Sequence, residues 1–348
     1  MEINFKFWPS VLPVLIVLLM TAGCDLVDNI TGKDNNDESI QSIHPVLVNG
    51  SWGFIDSSGK VVTGASFDEA RDASGGMAPV RIGSLWGYVD AASGTITVEQ
   101  QFNSAGSFEN GLAPVQRAGQ LFGYINKQGE LAIEEKFDFA SSFSEGAAAV
   151  RLDGLWGYIK TDGTFLVEPK YSNARLFSGG LAAVETFEGW VYIDNSGNEV
   201  IKPTFQIASA KEFTEGLAPV ETSEGWGYIN SEGTVVITPK YSDAGNFSQG
   251  RAWIREGDFF GFIDKSEKQV IEPQFSQVKS FSEDLAPVRL NNNWFYINRN
   301  SNLITITEPH SQAETFKNGI ARVVLGSGDN TRFGYINRKG EYVWFPSK

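Results

Sequence analysis

A few side chains in this sequence are of a kind, and so placed, that they could support binding or catalysis. In Arg251-Ala252-Trp253-Ile254-Arg255 an indole lies between two guanidinium groups on alternate positions of a short apolar run. If exposed, Trp253 would stack on a sugar or anchor a protein partner. Arg251 and Arg255 beside it complete a candidate ligand contact. The alternative is that the ring fills a local packing gap. The chain has only two histidines, His44 and His310. Neither stands in a hydrolase or metal motif, and both read as local packing. A glycosidase needs two carboxylates, and 42 Asp and Glu single out no pair. No Walker loop, dinucleotide fingerprint, HExxH or regularly spaced calcium loop is present. No catalytic residue, cofactor or metal ligand is therefore assigned.

Composition narrows the classes further. The 348 residues carry a formal net charge of −14, with an isoelectric point near 4.7. No surplus of Lys and Arg is available to displace counterions from a nucleic-acid backbone, so no nucleic-acid partner is expected. Hydrophobic residues at 41% and charged residues at 20% suit a chain that buries a core, which excludes bulk disorder and a multispanning membrane protein.

The single cysteine, Cys24, excludes a disulfide framework and a cysteine-rich metal site. It follows an apolar run from Val11 to Met20 that is too short for a comfortable membrane span and has the length of a signal-peptide core. Thr21-Ala22-Gly23-Cys24 resembles the bacterial lipoprotein signal, in which cleavage precedes the cysteine and lipid is attached to it. The resemblance implies a signal peptide over 1–23 and lipid attachment at Cys24, with the bilayer as partner. Residues 24–42 would form a disordered tether, since Asp25 to Ser42 holds five acidic residues, one lysine and little apolar content. Whether the protein faces the periplasm or the surface is left open.

The rest of the chain, 43–348, is one unit written nine times. Its mark is an aromatic motif, as in Trp86-Gly87-Tyr88-Val89, Trp156-Gly157-Tyr158-Ile159 and Trp226-Gly227-Tyr228-Ile229. Successive copies start at 52, 86, 122, 156, 190, 226, 260, 294 and 333. A period near 34 residues means a repeat architecture. Each copy reads as a three-stranded antiparallel meander: an apolar run, the aromatic strand, a turn, and a third strand often ending in Pro. Glycine fills the second turn in most copies, for example Gly59 and Gly163, because it adopts positive φ freely. Asn302 is assigned that place in copy eight and Lys268 in copy seven, where a strained or differently formed turn is expected. The connector that follows, such as Phe102, Ala105 and Phe108, is read as a single helical or 3₁₀ turn, with a fourth irregular strand as the alternative.

Comparison among the copies suggests a charge pair over the central strand. Arg81, Arg151 and Arg255 are matched with Glu99, Glu168 and Glu272, and copy five inverts the signs with Glu185 and Lys202. Binding of an anion by the arginines is the alternative.

The Trp-Gly-Tyr-Ile core, the glycine turn and the Phe-x-x-Gly-Leu-Ala-Pro-Val run resemble bacterial WG-containing repeats over residues 43–346. Copies five and eight depart at the glycine, with Val191 and Phe295. The resemblance implies a β-rich repeat with no established catalytic residue. The fold class expected is all-β, a tandem array of three-stranded WG meanders. Trp and Tyr face one way and Gly and Ile the other, so both sheet faces are apolar and need covering by neighbouring copies. A propeller-like ring is favoured over an open β-solenoid, although no blade shared between the two chain ends is visible. The function expected is an envelope-anchored, non-catalytic binding or scaffold surface for a protein or glycan partner. The alternative is a carbohydrate-active enzyme with paired carboxylates in a groove or channel.

Overall fold

The computed structural model describes residues 42–347, except 305 and 307. The expected signal peptide, Cys24 and all but the last residue of the tether lie outside the described residues. The described residues belong to one compact unit. No helix among the described residues is long and apolar enough to cross a membrane.

The nine copies form nine small antiparallel sheets, the blades of a β-propeller. Blade 1 has three strands, Ile43–Val48, Ser51–Asp56 and Val61–Phe67. The other eight have four. In blade 4 these are Phe139–Ala140, Ala147–Leu152, Leu155–Lys160 and Phe165–Tyr171, paired in that order. The connector is thus a two-residue strand and not a helical turn. Pairing satisfies its backbone against the first strand of the next meander, as where Asp138 N–H reaches Arg151 O at 2.8 Å. The one 3₁₀ segment among the described residues, Gly328–Asn330, lies in the long loop at 325–331.

The two apolar faces meet between blades. Trp86, Tyr88, Val98 and Phe102 of blade 2 pack on Ala113, Val115 and Ile125 of blade 3. The motif tyrosine then fixes the spacing to the next blade. Tyr88, Tyr124, Tyr158 and Tyr228 hydroxyls donate to the carbonyls of Gly106, Ser141, Arg175 and Gly245 at 2.6–2.8 Å. Each also meets the connector phenylalanine at a steep angle, edge-on in all but the tilted Tyr124–Phe143 pair, with centroids 4.9–5.1 Å apart. Such aromatic pairs add about 0.5–1.5 kcal/mol beyond the area they bury.

A variant of this joint closes the ring, because blade 1 has no connector strand among the described residues and its acceptor lies on the first strand of the meander. Tyr335 in blade 9 donates to Pro45 O in blade 1 at 2.9 Å. His44 takes the place of the connector phenylalanine, 5.6 Å from the Tyr335 ring. Trp52 packs on Phe333, and Val46 and Ile55 on Ile320. The array is therefore a nine-bladed ring and not an open solenoid. Each chain end supplies its own blade, so closure comes from packing rather than strand exchange.

The turn assignment needs correction in two copies. Positive φ falls on Glu267 and Ser301, both at 65°, and not on Lys268 or Asn302. The turn is set by the amide that reaches back to the carbonyl three residues earlier, Glu267 to Asp264 and Ser301 to Asn298. That residue is the one driven left-handed.

Candidate functional site

The motif glycine has a local reason. A Cβ on Gly157 would stand 2.5 Å from Val167 O and 2.7 Å from Pro169 N. The last strand of the same blade crosses the glycine at a bulge, where register shifts between Trp156–Tyr171 and Tyr158–Val167. Without a side chain there, the strand continues for seven residues, Phe165–Tyr171.

Copies five and eight lack the glycine, and both lose this continuation. Blade 5 consists of Asn173–Ala174, Leu181–Thr186, Gly189–Asp194 and a last strand of only three residues, Glu199–Ile201. Blade 8 has Gln277–Val278, Leu285–Leu290, Asn293–Asn298 and a last strand of two, Leu303–Ile304. In blade 8 the outermost rung survives, because His310 O accepts the Trp294 N–H at 2.9 Å. In blade 5 it does not. The last strand pairs only at Tyr192–Ile201 and Ile193–Glu199. Among the described residues, no backbone group pairs with Trp190 on that side.

Two extra residues between Ile201 and Ile207 carry the chain outward as Lys202-Pro203-Thr204-Phe205-Gln206. Ile207 returns to the core at 5% exposure beside Trp190. The detour opens a cavity of about 310 Å³ bounded by Phe187, Glu188, Trp190, Glu199, Lys202 and Phe205. A wider one of about 740 Å³ lies on the other side of the same segment and reaches Glu232 to Val235 of blade 6. A third of about 270 Å³ lies between Phe205 and Thr222 to Glu224. Phe205 borders all three. Phe187 at the hairpin tip is 97% exposed. Lys202 is held by Glu199 at 2.8 Å, and that hydrogen bond raises the lysine pKa above its ordinary value. Glu188, Glu224 and Glu232 form no ion pair among the described residues.

The residues singled out in the sequence lie elsewhere. Arg251 precedes and Trp253 and Arg255 lie in the second strand of blade 7, Ala252–Glu256. Trp253 is half-buried. Its ring packs 5.6 Å from Phe260, with Lys211 Nζ 5.2 Å away. Gly245 leaves room for the indole, which a Cβ at that position would strike. The geometry matches the packing alternative for this ring. Arg251 donates to Gly250 O at 3.0 Å, while Arg255 turns toward Asp258 at 3.7 Å and the Phe260 ring. The two guanidinium groups thus have separate local partners. His44 and His310 are buried and bonded to Ser57 and Tyr342 at 3.1 and 3.2 Å. Burial lowers both pKa values below the ordinary 6.5.

The charge pairs also differ from expectation. Arg81 goes to Glu69 at 3.1 Å and not to Glu99. Glu69 is on the short strand directly opposite Arg81, whereas Glu99 lies two strands away. Lys202 pairs within its own loop, with Glu199 and not Glu185. The sequence contained the signals for the blade 5 groove, Val191 for glycine and the two-residue insertion, but only the structure shows that they act on the same strand.

Similarity to solved structures is one of fold. A crystal structure of "the eukaryotic initiation factor" aligns at 14% identity and a TM-score of 0.66, over 88% of this chain and 95% of that one. The computationally designed Ika8 protein aligns at 8% identity and 0.50, over 81% and 96%. BamB from Moraxella catarrhalis aligns at 9% and 0.44, over 74% and 92%. Comparison with curated proteins gives no match. The WG containing repeat matches residues 52–86, 86–119, 122–156, 156–186, 190–224, 226–258 and 260–294, and the chain belongs to that family.

Proposed function

We propose that this protein is a bacterial envelope lipoprotein whose repeat ring is a non-catalytic binding scaffold for a protein or glycan partner. Lipid on Cys24 would localise it, the acidic tether would give reach, and the ring would hold its loops rigidly in place. The observation that carries this reading is where the large aromatics go. The motif tyrosines are spent on blade-to-blade packing, so the recurring part of the unit builds a frame. The rim differs from blade to blade, and in blade 5 it opens into a groove beside an exposed phenylalanine. An exposed aromatic next to a recess is the usual form of an interaction anchor.

The anchor is tested by labelling expressing cells with a clickable palmitate analogue, comparing wild type with Cys24→Ala. Label in the wild type alone supports the lipoprotein reading. Equal absence of label in both, at normal expression, removes it and leaves a free binding module.

A further inference from the structure

We propose that the blade 5 groove accepts an extended basic–apolar peptide from a partner protein, which completes the blade by pairing with Trp190. The inference deepens the binding-scaffold reading and rests on it.

The central strand supplies the first argument. In blade 4 the edge of Trp156 is covered by the rung to Tyr171. In blade 8 the Trp294 N–H is covered by His310 O at 2.9 Å. Trp190 occupies the same register, opposite Glu185 and one step from the Thr186–Gly189 turn. Pairing alternates along an antiparallel strand. The Trp190 N–H and C=O therefore point away from the second strand and toward the groove. An incoming strand would supply the missing rung.

The second argument is space. The last strand of blade 4 runs four residues beyond Val167, to Tyr171. At about 3.3 Å per residue this is a span of roughly 13 Å. Blade 5 gives up the same path after Ile201, and the cavity bordered by Trp190, Val191 and Phe205 lies along it.

Charge selects the occupant. Glu188, Glu224 and Glu232 surround the openings without ion pairs among the described residues. The lysine beside them, Lys202, is already held by Glu199. Alternate side chains of a bound strand would meet these carboxylates on one side and Phe187 and Phe205 on the other. The chain's own segment 25–42, with five acidic residues and one lysine, carries the wrong charge.

The test uses the full-length protein and a fluorescent seven-residue peptide alternating lysine with valine and tyrosine. Controls are its glutamate analogue, a version N-methylated on alternate residues, and chitohexaose. The basic peptide should bind and slow exchange of the Trp190 amide at least tenfold. N-methylation and Glu188→Lys/Glu224→Lys should each weaken binding at least tenfold at physiological salt. Both substituted positions are exposed, so the fold should survive, as circular dichroism would verify. Unchanged exchange at Trp190, or equal binding of the acidic or N-methylated peptide, would overturn the proposal. Protection of Trp190 by chitohexaose alone would assign the groove to a glycan instead. Loss of the Cys24 label leaves this result untouched. Loss of peptide binding with the label intact removes the peptide site but not the anchored scaffold.

Discussion

Blades 5 and 8 share two departures from the repeat, a side chain in place of the motif glycine and two extra residues after the last paired position, and differ in whether the outermost rung is remade. Each has a side chain where the unit needs glycine, Val191 in one and Phe295 in the other, and among the described residues each last strand is short. In blade 8 the chain returns in time for His310 to cover the Trp294 N–H, and the ring of His310 is itself buried against Tyr342. Both blades carry two extra residues before the next core position, from Ile201 to Ile207 and from Ile304 to His310, but in blade 5 no rung to Trp190 is made among the described residues. The glycine substitution decides whether the strand can cross. The segment after it decides whether the gap is sealed or becomes a groove.

The biggest change should come from forcing this departure on a regular blade. Gly157→Val places a side chain against Val167 O and the Pro169 backbone. It should cost about 3 kcal/mol through overpacking, read as a lower urea midpoint, and should speed amide exchange at Trp156. Unchanged stability would mean that the glycine does not hold the strand. The converse substitution separates the two causes. Val191→Gly alone should leave the groove open, whereas the same change with Thr204 and Gln206 deleted should slow exchange at Trp190.

The seam is next. Tyr335→Phe removes the hydroxyl that reaches Pro45 O and leaves that carbonyl without it. The cost should be about 1–2 kcal/mol, accompanied by faster exchange in blades 1 and 9. Blades 1 and 7 have Phe54 and Phe262 at the equivalent position, so a missing hydroxyl is tolerated elsewhere in the ring. A larger loss of cooperativity at Tyr335 than at Tyr228→Phe would show that closure matters more than any internal joint.

Acid should weaken the same regions by a smaller amount. Burial holds His44 at the seam and His310 in the sealed blade 8 below the ordinary 6.5. The unfolded chain therefore takes up protons first as pH falls. Their contribution is complete above about pH 6.5 and is lost as pH drops from there toward the folded pKa values. Melting temperature should decline between pH 7 and 5, and His44→Gln/His310→Gln should flatten that slope. The carboxylates act in a lower window: Ser58 holds Asp56 below its ordinary 3.8 through a hydrogen bond, and that stabilisation is lost only as pH falls below this value. A still smaller change is expected from Ser301→Gly. Ser301 is exposed with φ of 65°, and relief of the left-handed backbone should add about 0.5 kcal/mol in denaturant titration.

Much of the frame was legible because a meander with two apolar faces cannot cover itself. The nine copies, the strand alternation and the Trp/Tyr versus Gly/Ile faces all follow from spacing, and the structure has each of them. Spacing was a poorer guide to the connector. Phe102, Ala105 and Phe108 repeat at three residues, which suits a turn, yet the backbone of Ser104 and Ala105 finds its partners on the neighbouring strand. The charge pairs failed for the same reason, since cross-strand neighbours depend on the fourth strand, which the spacing left only as the alternative. Trp253 stood out by type alone, but its surroundings, Gly245, Phe260 and Lys211, come from other parts of the chain.

Residue type at a fixed local period is enough to define the repeat, the number of units, the faces of each strand and the places where the pattern breaks. Long-range contact was needed to settle that nine units close, that Tyr335 meets Pro45 from 290 residues away, and that Val191 and the insertion after Ile201 open one groove. Those outcomes depend on which backbone groups meet across blades, and local periodicity carries no information about a partner that distant in sequence.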